Sequence, residues 1–169
     1  MSKRFLSMHD VQAQLLEIIR NLYVTNWRPD YIVGLSRGGL TPAVMLSQYL
    51  KIPMESLKVQ LRDGGECETN CWIPEDLAAG KNILIVDDIN DTGETIAWIK
   101  KDWYASTAGM WSQDEYNAAW SDRVQVAVLV NNLSSNQPVD FYGTEINKAE
   151  DDAWIVFPWE AWWQTPNSQ

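Results

Sequence analysis

Apolar residues recur along the chain with two different periods, and the changes between them mark its elements. Val11, Leu15, Ile18, Ile19 and Leu22 fall at helical spacing, which predicts an amphipathic first helix over about 10–25. Ser7, with Asp10 three residues on, resembles a capping box at its start. Tyr31-Ile-Val-Gly-Leu35 is short, apolar and rich in extended formers, and predicts a strand that ends at Ser36-Arg-Gly-Gly39. Helical spacing returns over 41–50. A second strand is predicted near 57–61, and a third over 82–87 leads into Asp88-Ile-Asn-Asp-Thr-Gly93 and a helix over about 94–103. A buried-type strand follows at 124–130, with shorter ones near 139–142 and 154–157. Strands alternating with helices predict an α/β fold, a mainly parallel central sheet flanked by helices. At 169 residues the chain suits one domain over 1–169.

Two stretches lack apolar periodicity. Residues 62–80 are rich in glycine and acids and predict a long loop, read as a mobile lid. Residues 105–122 read as an insertion holding one short helix over 113–120, with no role assigned. No stretch approaches the roughly 20 apolar residues of a membrane span, and the start lacks a basic segment followed by an apolar one. The expectation is a soluble, cytoplasmic protein with no membrane partner. Cys67 and Cys71, even with the lone His9, are too few for a structural zinc site or a disulfide framework. They read as free thiols in a reducing compartment.

A formal charge of -10 argues against a nucleic-acid partner, because such binding relies on Lys and Arg displacing counterions. A small anion is a different matter: backbone N–H groups, a bridging metal and one or two local cations hold it without showing in the total charge. Ten tryptophans are present and crowd the second half of the chain. Most of them are expected simply to pack.

Ligands of open α/β sheets bind beyond the carboxyl ends of the strands, so strands that stop at glycine-rich polar loops mark the candidate site. The more informative of the two is Ile83-Leu-Ile-Val-Asp-Asp-Ile-Asn-Asp-Thr-Gly-Glu-Thr95. Four apolar residues bury the strand, and Asp87 and Asp88 are expected to emerge at its end. Asp91, Thr92, Gly93, Glu94 and Thr95 then form a turn at a helix N-terminus, where free N–H groups, hydroxyls and the helix dipole favour phosphate. Carboxylates beside a phosphate cradle need positive partners or ribose hydroxyls, and a magnesium ion is the obvious cation. Two other proteins place acids after an apolar strand, and neither fits. A receiver domain should offer a further Asp where this chain has Asn131-Asn132, and an NTPase needs a Gly-x-x-x-x-Gly-Lys-Ser/Thr loop that is absent.

This block resembles the signature of the type I phosphoribosyltransferases for phosphoribosyl pyrophosphate (PRPP). The resemblance implies that Asp87 and Asp88 lie by the ribose hydroxyls and the Mg2+ ion. It further implies that Asp91 through Thr95 wrap the 5'-phosphate, with Asp91 also the general base. Ser36-Arg37-Gly38-Gly39 is similar to the pyrophosphate loop of bacterial xanthine-guanine phosphoribosyltransferases, which often holds a non-proline cis peptide. Asp152-Ala-Trp-Ile-Val-Phe-Pro-Trp-Glu160 resembles the same family's base-binding tail, within a C-terminal hood over about 144–169. By that likeness Trp154 stacks on a purine, the Ile155 carbonyl accepts from it, and Glu160 serves a metal.

The chain departs from the pattern at three places. Asn90 replaces an aliphatic residue, the 62–80 segment lacks the expected Ser-Tyr pair and leaves Arg62 as its candidate pyrophosphate contact, and Asn131 stands where the 6-oxopurine enzymes place a lysine. An asparagine amide both donates and accepts, so the choice of base stays open. The expected function is therefore transfer of the phosphoribosyl group of PRPP to hypoxanthine, guanine or xanthine. A sibling enzyme for another base and a PRPP-sensing regulator remain alternatives. The resemblance also implies a homo-oligomer, a dimer or tetramer.

Overall fold

The computed structural model of the chain describes residues 2–60, 66–69, 73–107 and 109–164. Its element order is β1 (Lys3–Phe5), α1 (Met8–Val24), β2 (Tyr31–Ser36), α2 (Leu40–Leu50), β3 (Met54–Gln60), β4 (Glu66–Thr69), α3 (Ile73–Ala78), β5 (Ile83–Asn90), α4 (Glu94–Ser106), α5 (Gln113–Arg123), β6 (Val124–Asn132), β7 (Phe141–Ile146) and β8 (Trp154–Val156). Six strands form one sheet in the order β4-β3-β2-β5-β6-β7. Every neighbouring pair in it is parallel except β3 with β4. The remaining two, β1 and β8, pair with each other in parallel.

Side-chain alternation along the central strands sends apolar residues to both faces, as a doubly covered parallel sheet requires. Leu84 and Val86 of β5 pack with Val11, Leu15, Ile18 and Leu22 of α1 and Ala43 and Leu46 of α2. Ile83 and Ile85 face the other way, against Leu77 of α3, Ile99 and Trp103 of α4, and Tyr116 and Trp120 of α5. The start of α1 is a complete capping box: Ser7 Oγ accepts from the Asp10 N–H, and Asp10 Oδ2 accepts from the Ser7 N–H at 2.7 Å.

Three expectations are corrected by the fold. The 62–80 segment is not one long loop: β4 runs antiparallel to β3, and α3 buries Leu77 to 1% exposure. Residues 73–78 are therefore helix rather than loop, while Arg62 and Cys71 lie outside the described residues. The supposed insertion at 105–122 carries α5, which is part of the core. Tyr116 is fully buried and Trp120 nearly so, and Trp103 meets Trp120 edge-on at 5.6 Å. Its buried side consists mainly of those two aromatics, too few to print a visible period. The third correction is that β5 continues through Asp87 and Asp88 to Asn90, because pairing with β6 runs on to Asn90 opposite Asn131. The strand therefore runs three residues past the predicted end at Asp87, and the turn begins at Asp91. Among the described residues no helix is long and apolar enough to cross a membrane.

Candidate active site

The order of the sheet fixes where a ligand can sit. The chain leaves β2 for β3 on one side, then returns to β5 on the other side of β2 and continues outward to β6 and β7. The sheet therefore reverses direction between β2 and β5, and a crevice opens outside their carboxyl ends at such a switch point. Gly34 of β2 is opposite Val86 of β5, the last pair of that ladder, so Ser36 and Asp88 stand at about the same level beyond it. The two motifs singled out in the sequence meet there.

They meet in direct contact. A Cβ on Gly38 would stand 1.9 Å from Asp88 Oδ2, and one on Gly39 would stand 2.4 Å from the Val86 carbonyl oxygen and 2.8 Å from that of Leu35. Backbone leaves no room for a side chain at Gly39, and a side chain at Gly38 would displace the Asp88 carboxylate. The Ser36–Arg37 peptide is cis, and the Arg37 side chain is exposed at the mouth of the crevice. The next helix, α2, starts at Gly39 with no side-chain cap, and α4 starts in the same way at Gly93. Two helix N-termini thus offer N–H groups at one end of the sheet. Gly93 has φ 89° and lies against Ser135 and Asn136, so a side chain there is excluded by both conformation and space. Asp87 through Thr95 line a cavity of about 230 Å³ together with Leu35, Ile96, Val126 and Val128.

Asp87 and Asp88 are partly buried side by side just past the last pair of β2 with β5. Asp87 Oδ1 accepts the Asp88 N–H at 2.9 Å, and Asp88 Oδ1 accepts the Ile89 N–H at 2.8 Å. Burial, followed by the charge of Asp88, holds the Asp87 carboxyl well above the usual carboxylate range. Burial also raises Asp88, and Glu160 adds repulsion across the crevice. A divalent ion or a ribose diol would relieve the strain of charging these carboxyls. Glu160 itself accepts the Phe157 N–H at 2.9 Å. Among the described residues no group of three or more His, Cys, Asp or Glu is arranged to hold a metal ion. Glu160 therefore does not complete a three-ligand cluster with the two aspartates.

Beyond Asp88 the polar residues form a network that the sequence did not announce. Asn90 is 3% exposed. Its Nδ2 donates to Asn131 Oδ1 at 3.0 Å and to the Gln137 carbonyl at 2.9 Å, and its Oδ1 accepts from Ser135 Oγ at 3.0 Å. A buried amide is tolerated in an aliphatic position because every one of these bonds is made. Asn132, also buried, donates to the Asp91 carbonyl at 2.8 Å and accepts the Lys148 N–H at 3.0 Å. Lys148 Nζ in turn donates to Asp91 Oδ2 at 2.9 Å and lies 5.7 Å from the centre of the Trp154 ring. Trp154 is half exposed, its backbone N–H donating to the Ser2 carbonyl just before β1 at 2.8 Å, and Ile155 beside it is buried. Asn132 and Lys148 were missed from sequence. One signal was present: Lys148 is the only Lys or Arg after Arg123, six residues before the proposed stacking tryptophan.

A switch-point crevice with paired carboxylates, two uncapped helix N-termini and glycines fitted to their neighbours defines an α/β protein built for a phosphorylated ligand. The family described as "Phosphoribosyl transferase domain" matches residues 3–165, nearly the whole chain, and the chain belongs to that family. The xanthine-guanine phosphoribosyltransferase of Cereibacter sphaeroides is 30% identical over 139 residues, spanning 79% of this chain and 70% of its own. The hypoxanthine-guanine phosphoribosyltransferase of Schizosaccharomyces pombe is 27% identical over 183 residues, spanning 91% and 85%. Among solved structures, a purine phosphoribosyltransferase from Pyrococcus horikoshii superposes with a TM-score of 0.64 at 25% identity, over 100% of this chain and 99% of that one. The xanthine-guanine-hypoxanthine phosphoribosyltransferase of Helicobacter pylori reaches a TM-score of 0.70 at 19% identity, over 94% and 93%, and shows the shared fold alone.

Proposed function

We propose that the protein transfers the 5-phosphoribosyl group of PRPP to a purine base, forming a nucleoside monophosphate and releasing pyrophosphate. The observation that carries this reading is the contact of the Gly38-Gly39 turn with the Asp87-Asp88 strand at the switch point. It sets a loop for one anion against acids suited to a diol and a cation. The names of the relatives support the purine as acceptor.

In this reading Asp91, Thr92, Gly93, Glu94 and Thr95 enclose the 5'-phosphate at the start of α4, their backbone N–H groups facing it. Ser36, Arg37, Gly38 and Gly39 hold the pyrophosphate, with Arg37 neutralising the charge that grows as it departs. Asp87 and Asp88 hold the ribose hydroxyls and favour the positive charge that develops on the ring. Magnesium suits the oxygen donors of Asp87 and Asp88, since this ion is commonly held by one or two carboxylates plus substrate phosphates and water. Bound there, it supplies charge neutralisation to the leaving pyrophosphate. Glu160 would act on the same ion through its charge or an intervening water rather than as a direct ligand.

The base lies against Trp154, with the Ile155 carbonyl accepting from its ring edge and the Asn131 amide facing it. A ring nitrogen attacks the anomeric carbon as the bond to pyrophosphate breaks, and Asp91 takes the proton that the base gives up. Product mass tests the reading. Incubation with PRPP, Mg2+ and one base at a time from hypoxanthine, guanine, xanthine, adenine and uracil is expected to give the matching monophosphate from at least one purine. No nucleotide from any purine, or nucleotide from uracil alone, would overturn it.

A further inference from the structure

Asn90 stands where the family resemblance calls for an aliphatic residue, and it is 3% exposed. Burying an amide is unfavourable unless its hydrogen bonds are made. Replacing a bonded buried group by an apolar one of similar shape is often nearly neutral, so stability alone does not call for asparagine here. The amide instead fixes the position of its neighbours. Its Oδ1 accepts from Ser135 Oγ at 3.0 Å and its Nδ2 donates to the Gln137 carbonyl at 2.9 Å, which fastens the segment 134–137, between β6 and β7, to the end of β5. Ser135 Oγ also accepts the Gln137 N–H at 3.2 Å, closing the segment on itself.

That segment, with Asn132 before it, grips the proposed phosphate turn by its carbonyls. The Asp91 carbonyl accepts from Asn132 Nδ2 at 2.8 Å, and the Thr92 carbonyl accepts the Asn136 N–H at 3.0 Å. Both peptides are trans, and in a trans peptide the N–H points opposite to the C=O. The N–H groups of Thr92 and Gly93 are therefore turned away from the segment. Gly93 itself packs on it: a Cβ there would stand 2.3 Å from Asn136 Oδ1 and 2.7 Å from Ser135 Oγ. Among the described residues the segment lines no part of the cavity that Asp87 through Thr95 enclose, so it supports the turn from behind. Glycine gives the turn its shape, and the bonds from behind hold it there.

We infer that Asn90 is a positioning residue for PRPP: through the segment 134–137 it keeps the Thr92 and Gly93 N–H groups aimed at the 5'-phosphate. The inference deepens the transfer reading and rests on it. Donors fixed in advance bind an anion more tightly than donors that must be ordered when it arrives. A fully bonded buried amide supplies that rigidity, whereas an aliphatic side chain would fill the space and leave Ser135 and Gln137 free to shift. The proposed pyrophosphate loop, Ser36–Gly39, packs on Val86 and Asp88 instead. Only one of the two anion sites therefore depends on Asn90.

The test is calorimetric binding of PRPP and of pyrophosphate, each with Mg2+, to wild type, Asn90→Val and Ser135→Ala. Asn90→Val should weaken PRPP by ~5- to 30-fold, the loss of about one well-aimed bond to a charged group, and leave pyrophosphate within ~2-fold. Ser135→Ala removes the hydroxyl that joins the segment to Asn90 and should act in the same direction by ~2- to 5-fold. In turnover the change should fall on KM for PRPP, with kcat at saturation within ~3-fold of wild type. A merely structural role would lower the number of competent sites per chain and leave the affinity of those sites unmoved. Wild-type PRPP affinity in both variants, or equal loss for PRPP and pyrophosphate, would overturn the inference, and Ser135→Ala decides alone should Asn90→Val fail to fold. Absence of PRPP binding by the wild type would instead remove the reading beneath it.

Discussion

The two ends of the crevice are built differently. At the end proposed for phosphate, each device is one unbroken stretch of chain: Ser36–Gly39 closes β2, and Asp87–Thr95 spans the end of β5 and the start of α4. At the end proposed for the base, the contacts join residues far apart. Asn90 meets Asn131 across 41 positions, and Asp91 meets Lys148 across 57. Phosphate is recognised by backbone N–H groups, whose direction is set locally by glycine and by helix starts. A base is recognised by side chains that must converge from several elements, and only the fold brings them together.

Separate construction implies separable failure. Asp91→Asn should produce the largest effect. It keeps the turn and its N–H groups but removes the proton acceptor, so turnover should fall ~10²- to 10⁴-fold while PRPP affinity changes little. Parallel loss of PRPP binding would show that the two ends are one unit. Trp154→Ala comes next. Stacking on an aromatic ring is worth ~1–3 kcal/mol per base, so KM for the base should rise roughly 5- to 150-fold with PRPP affinity unmoved. An unchanged KM would take Trp154 out of the base site.

The smallest effect concerns stability, and it sharpens the comparison from the phosphate side. Burial and Asp88 hold the Asp87 carboxyl well above its ordinary 3.8. A raised folded-state pKa means that the fold keeps the proton longer than the unfolded chain does. Its contribution to stability is complete below the unfolded value and is lost as pH rises through the folded one. In EDTA at pH 7, Asp87→Asn should therefore melt higher than wild type, by roughly 2–4 °C if relief is about 1 kcal/mol. That gap should close as pH falls below 4, and the same variant should lose transfer activity. Equal melting temperatures at pH 7 would show that the acids are not penalised by their setting.

The same contrast explains what could be read from the chain. Alternation and helical spacing placed α1, β2, α2, β5, α4 and β6, because each buries a long apolar stripe. The phosphate end was legible for the same reason, its glycines and acids being contiguous. β1 was too short and exposed to register, and α5 hid its place in the core behind a mostly polar surface carrying Tyr116 and Trp120. The predicted strand stopped at Asp87 because acids seldom occupy a central ladder; pairing of β5 with β6 carries it on to Asn90. Asn132 and Lys148 carried no local pattern, and their meaning lies in the distances between elements.

Pyrophosphate release by the wild-type protein from PRPP and Mg2+, with and without a purine, is the most direct test that the two ends serve one reaction. Release that depends on the purine and matches nucleotide formed one for one is the predicted result. Release at the same rate without any base, or tight PRPP binding with no release from any purine, would contradict it.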